Sequence, residues 1–239
     1  IFNMEDYVED AVALYKRVAG VDKLKHASTP FCPDGSLSFA DEETKGELSA
    51  NACQLLMKGL WLARLARPDQ QKAIANMATK VNSWSRNDDK RLYRFYCYMN
   101  SSKHFKLIGR VGDGPDALYL VCFVDADFSG EDDDSKSTSG GYLVLVGPNT
   151  FFPLAWVSKR QTSTARSTTE SEMISLANFL FAEVLPMMDL WDILLGRNVS
   201  CTIMEDNQAT IQVAKAGYSQ RLRHTQRVAK VNLGSVKET

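Results

Sequence analysis

Cysteine is scarce and badly placed for a covalent frame. Five residues, Cys32, Cys53, Cys97, Cys122 and Cys201, are an odd number spread over 239 positions without a C-x-x-C pair. That excludes a disulfide scaffold and a thiolate zinc site, and predicts reduced, mostly buried thiols of an intracellular, cytoplasmic or nuclear protein. The sequence shows no apolar run near the roughly 18–20 residues of a membrane helix, so no membrane partner is expected. The opening Ile1-Phe2-Asn3-Met4-Glu5-Asp6 has neither the basic flank nor the apolar stretch of a secretory signal. It also lacks an initiator Met, which suggests a fragment or a processed piece. Net charge is −1, so bulk charge selects no partner. What remains is ordinary: 44% hydrophobic and 24% charged residues exclude collagen, coiled coil and wholesale disorder.

The distribution of charge is less ordinary. Residues 86–110 carry seven Lys/Arg against two Asp, residues 113–134 carry eight Asp/Glu and no base, and residues 211–239 carry six Lys/Arg against Glu238. Carboxylate clusters bind cations and basic flanks hold polyanions, although solvated faces give the same pattern.

Periodicity divides the chain. Helical spacing runs through residues 5–18, 46–66, the stretch after Pro68 and about 89–100, with a long irregular loop at 21–45 and a break at Ser85-Arg86-Asn87-Asp88. Composition changes at Gly109 to Pro115, which sets a boundary between a helical segment, 1–113, and a second domain, 114–239. There, strands are expected at 118–125, Tyr142–Val146 and Phe151–Ser158, with a polar loop from Ser129 to Ser139 and a turn at Gly147-Pro148-Asn149. An amphipathic helix at 169–185, a second helical stretch from Met187 to Leu195, a strand Val199–Met204, a helix Asn207–Lys215 and a basic tail follow. The pattern is α/β.

Three carboxylates fall where α/β sheets place chemistry. Asp125 ends the first strand, Asp206 stands where the fourth strand gives way to a helix, and Glu172 lies in the first turn of the helix between them. If the two strands are parallel neighbours, the three acids converge and repel unless divalent cations bridge them. An all-oxygen set suits Mg²⁺ or Mn²⁺. Each acid also has a plainer reading. Thr169-Glu170-Ser171-Glu172 matches a capping box, Asp206 suits a helix cap, and Asp125 suits a turn.

The residues then resemble a known family. Val124-Asp125-Ala126-Asp127-Phe128-Ser129-Gly130 and Lys136-Ser137-Thr138-Ser139-Gly140-Gly141-Tyr142 look like the opening of the ribonuclease H domain of copia-type retrotransposons. Trp156-Val157-Ser158-Lys159-Arg160-Gln161-Thr162, Ser167-Thr168-Thr169-Glu170-Ser171-Glu172, Glu205-Asp206-Asn207-Gln208-Ala209-Thr210 and Arg223-His224-Thr225 continue it in the family's order. Upstream, Arg64 to Asp69 and Arg91 to Ser101 resemble the segment that follows the reverse transcriptase of such Pol polyproteins. A polymerase Y-x-D-D motif is absent, so no DNA synthesis is expected.

This resemblance implies a ribonuclease H-like mixed sheet with packed helices, preceded by a mainly helical connection segment. It implies metal-dependent cleavage of the RNA strand of RNA–DNA hybrids, as part of a Pol polyprotein whose remainder is a further partner. By position, Asp125, Glu172 and Asp206 match metal-binding acids, with Glu170 and Asp127 ranked behind them. His224 matches a family block and takes a proton-transfer or substrate-facing role. Lys159, Arg160, Arg166, Arg221 and Arg223 are the expected phosphate contacts. The family's fourth acid lies downstream of Thr239 and its second C-terminal His is Lys230 here, so truncation of the domain is expected. A decayed fragment that binds nucleic acid without cutting it is the alternative, and a purely structural connection module is a third. The sequence also assigns ligation to Glu172 over Glu170, with Glu170→Gln keeping most activity.

Overall fold

Helix α1, Glu5–Ala19, buries Val8, Ala11, Val12 and Tyr15 along one stripe and ends at Gly20, whose φ of 63° suits glycine. It belongs to the first of two units, Ile1–Leu107 and Ile108–Thr239, of a computed structural model that describes residues 1–128 and 136–239. Helices α2 (Phe39–Glu43), α3 (Ala52–Leu65), α4 (Gln71–Thr79) and α5 (Arg86–Ser101) complete the first unit. Tyr15 stacks on Tyr96 with centroids 4.2 Å apart, inside a core that includes Leu55, Leu62, Ile74, Leu92 and Phe95.

Local hydrogen bonding moves three boundaries away from the periodicity. Helix α2 lies within the stretch that reads as irregular, started by Ser38, whose side chain accepts from the Asp41 N–H at 3.3 Å. Helix α3 begins at Ala52 rather than 46, because Gly46 N–H bonds the Trp84 carbonyl while Glu47 and Leu48 N–H groups bond the Asp89 carboxylate. Ser85 is not a break but the cap of α5: Asp88 N–H donates to its hydroxyl and Ser85 N–H returns the bond to Asp88.

The Arg67-Pro68-Asp69 run has a structural use. Arg67, only 2% exposed, pairs with Asp69 at 2.8 Å and donates to the carbonyl and hydroxyl of Ser102. Tyr98 donates to the same Asp69 at 2.7 Å. The end of α3 is thereby tied to the end of α5.

The second unit is α/β. Strands β1 (Tyr119–Asp127), β2 (Thr138–Gly147), β3 (Thr150–Arg160) and β4 (Cys201–Met204) form one mixed sheet in the order β3-β2-β1-β4. Consecutive strands β1, β2 and β3 pair antiparallel, whereas β4 returns to pair parallel with β1. Helix α6, Thr168–Phe179, makes that crossover, continues through a π-helical turn at Leu180–Val184, and runs into α7, Leu185–Leu195. Leu120, Cys122, Val124, Leu143 and Leu145 from the sheet bury against Met173, Ile174, Leu176, Ala177 and Phe179. Each Leu, Val, Ile, Met or Phe side chain among them contributes roughly 1.5–3 kcal/mol. Helices α8 (Gln208–Ala216), α9 (Thr225–Val228) and α10 (Leu233–Glu238) follow, and Leu222, Val231, Leu233 and Val236 join the same core.

Strand β2 starts at Thr138, four residues before the expected Tyr142. Gly140-Gly141, expected to lead into the strand, lies within it, and a Cβ on Gly141 would run into the Phe179 ring. The glycine is there for close approach of helix to strand. Of the polar loop expected at Ser129–Ser139, residues 129–135 lie outside the described residues, as do Glu131 to Asp134 of the acidic run. Cys97 and Cys122 are buried, but Cys53 is exposed, so the thiols are not mostly buried.

One expectation of length fails. The joined run Thr168–Leu195 is long and apolar enough, by length and composition alone, to cross a membrane. Its α6 part is a core helix: Glu170, Ser171, Glu172 and Ser175 are buried together with the apolar face.

Candidate metal centre

The parallel register positions two of the acids. Phe123 of β1 pairs with Met204 of β4, so Asp125 and Asp206 each stand two residues beyond the same pair, at the same end of adjacent strands. The third arrives on α6. Ser167 caps that helix by accepting from Glu170 N–H, and this fixes the helical phase of everything after it. One turn beyond Glu172, the Ser175 hydroxyl lies 2.9 Å from the Asp125 carbonyl and 3.2 Å from that of Gly140, pinning α6 to β1 and β2. Gln161 adds a second tie, donating to Ser139 at 3.0 Å and to the Ser171 carbonyl at 2.9 Å.

The result is a three-carboxylate cluster. One ligand oxygen each from Asp125, Glu172 and Asp206 can be chosen so that all lie within 4.8 Å of one another. Asp125 and Asp206 are exposed, while Glu172 is buried at 6% exposure. Burial, then the charges of Glu205, Asp125 and Asp206, push the Glu172 carboxyl up to about 8, against a partial lowering by the Ala126 N–H. Its Oε2 is buried without a hydrogen-bond partner. A buried carboxylate oxygen with no donor, beside two further carboxylates, fits a cation whose ligands are all oxygen.

The plainer readings of the acids give way to specific residues. The cap of α6 is Ser167 with Glu170 in the third helical position, so the capping register lies two residues before the one that would use Glu172. Asn207, not Asp206, caps α8 by accepting from Ala209 and Thr210 N–H groups. Asp125 lies inside β1. Asp127 and Glu170 are not members of the three-acid group.

Two features escaped the sequence. Glu205 joins the electrostatics of the site. Burial pushes its carboxyl upward, Asn207 N–H partly offsets this from 3.0 Å, Asp206 and Asp125 add to the rise, and its Oε2 is buried without a partner. Strand alternation would send Glu205 away from Asp206, but β4 ends at Met204 and alternation ends with it. The second is a contact across 54 positions: His224 Nε2 lies 2.8 Å from Oε1 of Glu170, which is 1% exposed. No local spacing signals such a pair.

The basic residues occupy two neighbourhoods of the chain. Lys159 and Arg160 close β3, opposite Ser139 and Thr138 of β2. Arg166 precedes the α6 cap and offers its backbone N–H to Oε2 of Glu170 at 2.9 Å. Arg221 and Arg223, both exposed, flank the buried Leu222 just before His224, and Arg223 bonds the Tyr218 hydroxyl. Glu170 therefore gathers the chain at Arg166 and at His224 onto one carboxylate.

An α/β unit whose parallel strand ends and crossover helix bring three carboxylates together is thus a candidate oxygen-ligand metal protein. The chain matches no protein-family model. It is similar to two plant proteins of Arabidopsis thaliana, the retrovirus-related Pol polyproteins from transposons RE1 and RE2. Identity is 27% over 154 residues with the first, covering 64% of this chain, and 31% over 112 residues with the second, covering 47%. The matched stretches span 10% and 7% of those polyproteins.

Proposed function

We propose that the Ile108–Thr239 unit is a ribonuclease H-like domain of a copia-type retrotransposon Pol polyprotein, and that it hydrolyses the RNA strand of RNA–DNA hybrids. The observation that carries this reading is the Asp125–Glu172–Asp206 cluster with its buried, unpartnered Glu172 oxygen. Similarity to retrovirus-related Pol polyproteins and the order of the sequence blocks support the substrate class.

Asp125, Glu172 and Asp206 would hold Mg²⁺ or Mn²⁺ through carboxylate oxygens. When bound, divalent cations at such a site polarise a phosphate and acidify a water for attack. The protein's own part is preorganisation. Ser175 and Gln161 hold α6 against β1 and β2, so the Glu172 carboxylate keeps its place relative to Asp125. Lys159, Arg160, Arg166, Arg221 and Arg223 would bind the phosphates of the hybrid, and recognition of RNA would rest on contacts to its 2′-hydroxyls.

The test is cleavage of a hybrid labelled on both strands. With Mg²⁺ or Mn²⁺ the RNA strand is cut and the DNA strand is not; with EDTA neither is cut. Cutting that persists in chelator overturns the metal mechanism. Hybrid binding without cleavage favours a domain that holds nucleic acid and does no chemistry.

A further inference from the structure

We propose that a cavity at the C-terminal end of α6 is a nucleotide subsite, holding one nucleotide of the hybrid beyond the acid cluster; this rests on the reading above. The cavity, about 380 Å³, is lined by Ala177, Asn178, Phe181, Ala182, Lys230 and Val231. Ligand sites run from about 300 to 1,000 Å³, so this one suits a single nucleotide.

Two irregularities of the backbone build it. Ala177 lies seven residues after Glu170, close to two full turns, so both present one side of α6 to the C-terminal segment. That segment meets this side at His224, 2.8 Å from Glu170, and again at Lys230-Val231, which share the cavity wall with Ala177. There α6 gives way to the π-helical turn Leu180–Val184, an irregularity found mostly at functional sites. Lys230 is the second. Its φ of 61° is the positive value of a non-glycine residue among the described residues, and it follows the cap of α9, where glycine is usual. A Cβ is strained in that conformation, so the turn alone favours glycine. Lysine supplies what glycine cannot, a cation at the wall.

The lining chemistry selects the ligand. Ala177 and Val231 are buried and make an apolar floor, whereas Asn178, Phe181 and Lys230 are exposed. Among the described residues, none of those three side chains is engaged by a hydrogen bond, an ion pair or a second ring. A free ring stacks on a base, an amide bonds a base edge and an ammonium holds a phosphate. No carboxylate lines the cavity to oppose an anion. Ala177 is five residues past Glu172, about 7–8 Å along α6. At roughly 3.4 Å per nucleotide along a duplex axis, the subsite serves a nucleotide about two steps from the cut.

Binding is read in EDTA, by fluorescence anisotropy of a labelled hybrid at several salt concentrations. Phe181 is exposed, so its truncation spares the core, and Phe181→Ala is expected to weaken binding about tenfold through one lost base stack. Lys230→Gln should weaken it about threefold and lower the slope of log affinity against log salt by about one. Lys230→Gly should bind as weakly while melting no lower than wild type, since glycine suits the left-handed backbone. A neutral methylphosphonate two nucleotides from the cut should weaken wild type and leave Lys230→Gln unaffected. Mn²⁺ uptake should stay unchanged in all three variants.

Hybrid binding at wild-type strength by Phe181→Ala and Lys230→Gln overturns the subsite, and wild type that still cuts the hybrid then keeps the hydrolase reading. Wild type that binds the hybrid without cutting it sinks the hydrolase reading alone, and the same losses in the variants still support the subsite. Wild type that binds no hybrid overturns both. Adenosine 5′-monophosphate separates a free nucleotide from a strand: its saturable, Phe181-dependent binding without displacement of the hybrid overturns the strand subsite, and displacement supports it.

Discussion

Ser175 reaches across from α6 to place its hydroxyl 2.9 Å from the backbone carbonyl of Asp125. A buried side chain on the crossover helix thus grips the main chain at the very residue whose carboxylate enters the acid cluster. Replacing it by alanine removes a buried hydrogen bond without changing any charge. Ser175→Ala is expected to lower unfolding free energy by about 1 kcal/mol. It should weaken Mn²⁺ binding only a few-fold, and urea denaturation with Mn²⁺ titration reads both. A loss of Mn²⁺ binding as deep as that of Asp125→Asn would show that the hydroxyl does more than hold the helix.

The same interface predicts intolerance at Gly141. A Cβ there would sit 2.4 Å from the Phe179 ring, closer than contact allows. Gly141→Ala is expected to cost roughly 1–3 kcal/mol as strand and helix separate. Gly114, where a Cβ meets nothing within 4 Å, should accept alanine with little change in melting temperature.

Stability should depend on pH with a definite sign. The folded protein holds the Glu172 carboxyl at about 8 against 4.5 for the ordinary group, and Glu205 is raised in the same sense. The folded state therefore keeps a proton that the unfolded chain releases near 4.5. This contribution is full below 4.5 and is lost as pH rises through about 8. Asp41, Glu42 and Asp113 are held low and act oppositely, but at and below their ordinary values of 3.8 to 4.5. In EDTA the melting temperature is expected to fall between pH 5 and pH 8, and Glu172→Gln should flatten the slope. An equally steep fall in that variant would place the cause elsewhere.

Removal of a cluster charge should kill binding without harming the fold. Asp125→Asn and Asp206→Asn relieve repulsion around Glu172 and are expected to leave the metal-free melting temperature unchanged or raised. Both should abolish divalent-dependent cleavage. A drop of several degrees in either would assign that acid a structural bond instead.

Much of this was legible because the signals are local. The alternation at 118–125, the turn at Gly147-Pro148-Asn149 and the stripe Met173, Ile174, Leu176, Ala177 follow from side-chain periodicity, and the parallel β1–β4 pairing brings Asp125 and Asp206 to one end as the strand positions imply. Where the reading slipped, a distant group had intervened. Asp89 and Trp84 claim the N–H groups of residues 46–48 and delay α3. Phe179 decides that Gly141 is strand. The Glu170–His224 contact and the burial of Glu205 depend on how the crossover helix and the chain after β4 come to rest, which no window of sequence contains.

The central claim is that Asp125, Glu172 and Asp206 make one divalent-cation centre, and Mn²⁺ titration followed by electron paramagnetic resonance at pH 8 tests it most directly. Wild type is expected to take up Mn²⁺ in a saturable manner. Asp125→Asn, Glu172→Gln and Asp206→Asn should each weaken that uptake at least tenfold, and Glu170→Gln should not. Equal Mn²⁺ uptake by wild type and the Asp125→Asn, Glu172→Gln, Asp206→Asn triple variant would contradict the account.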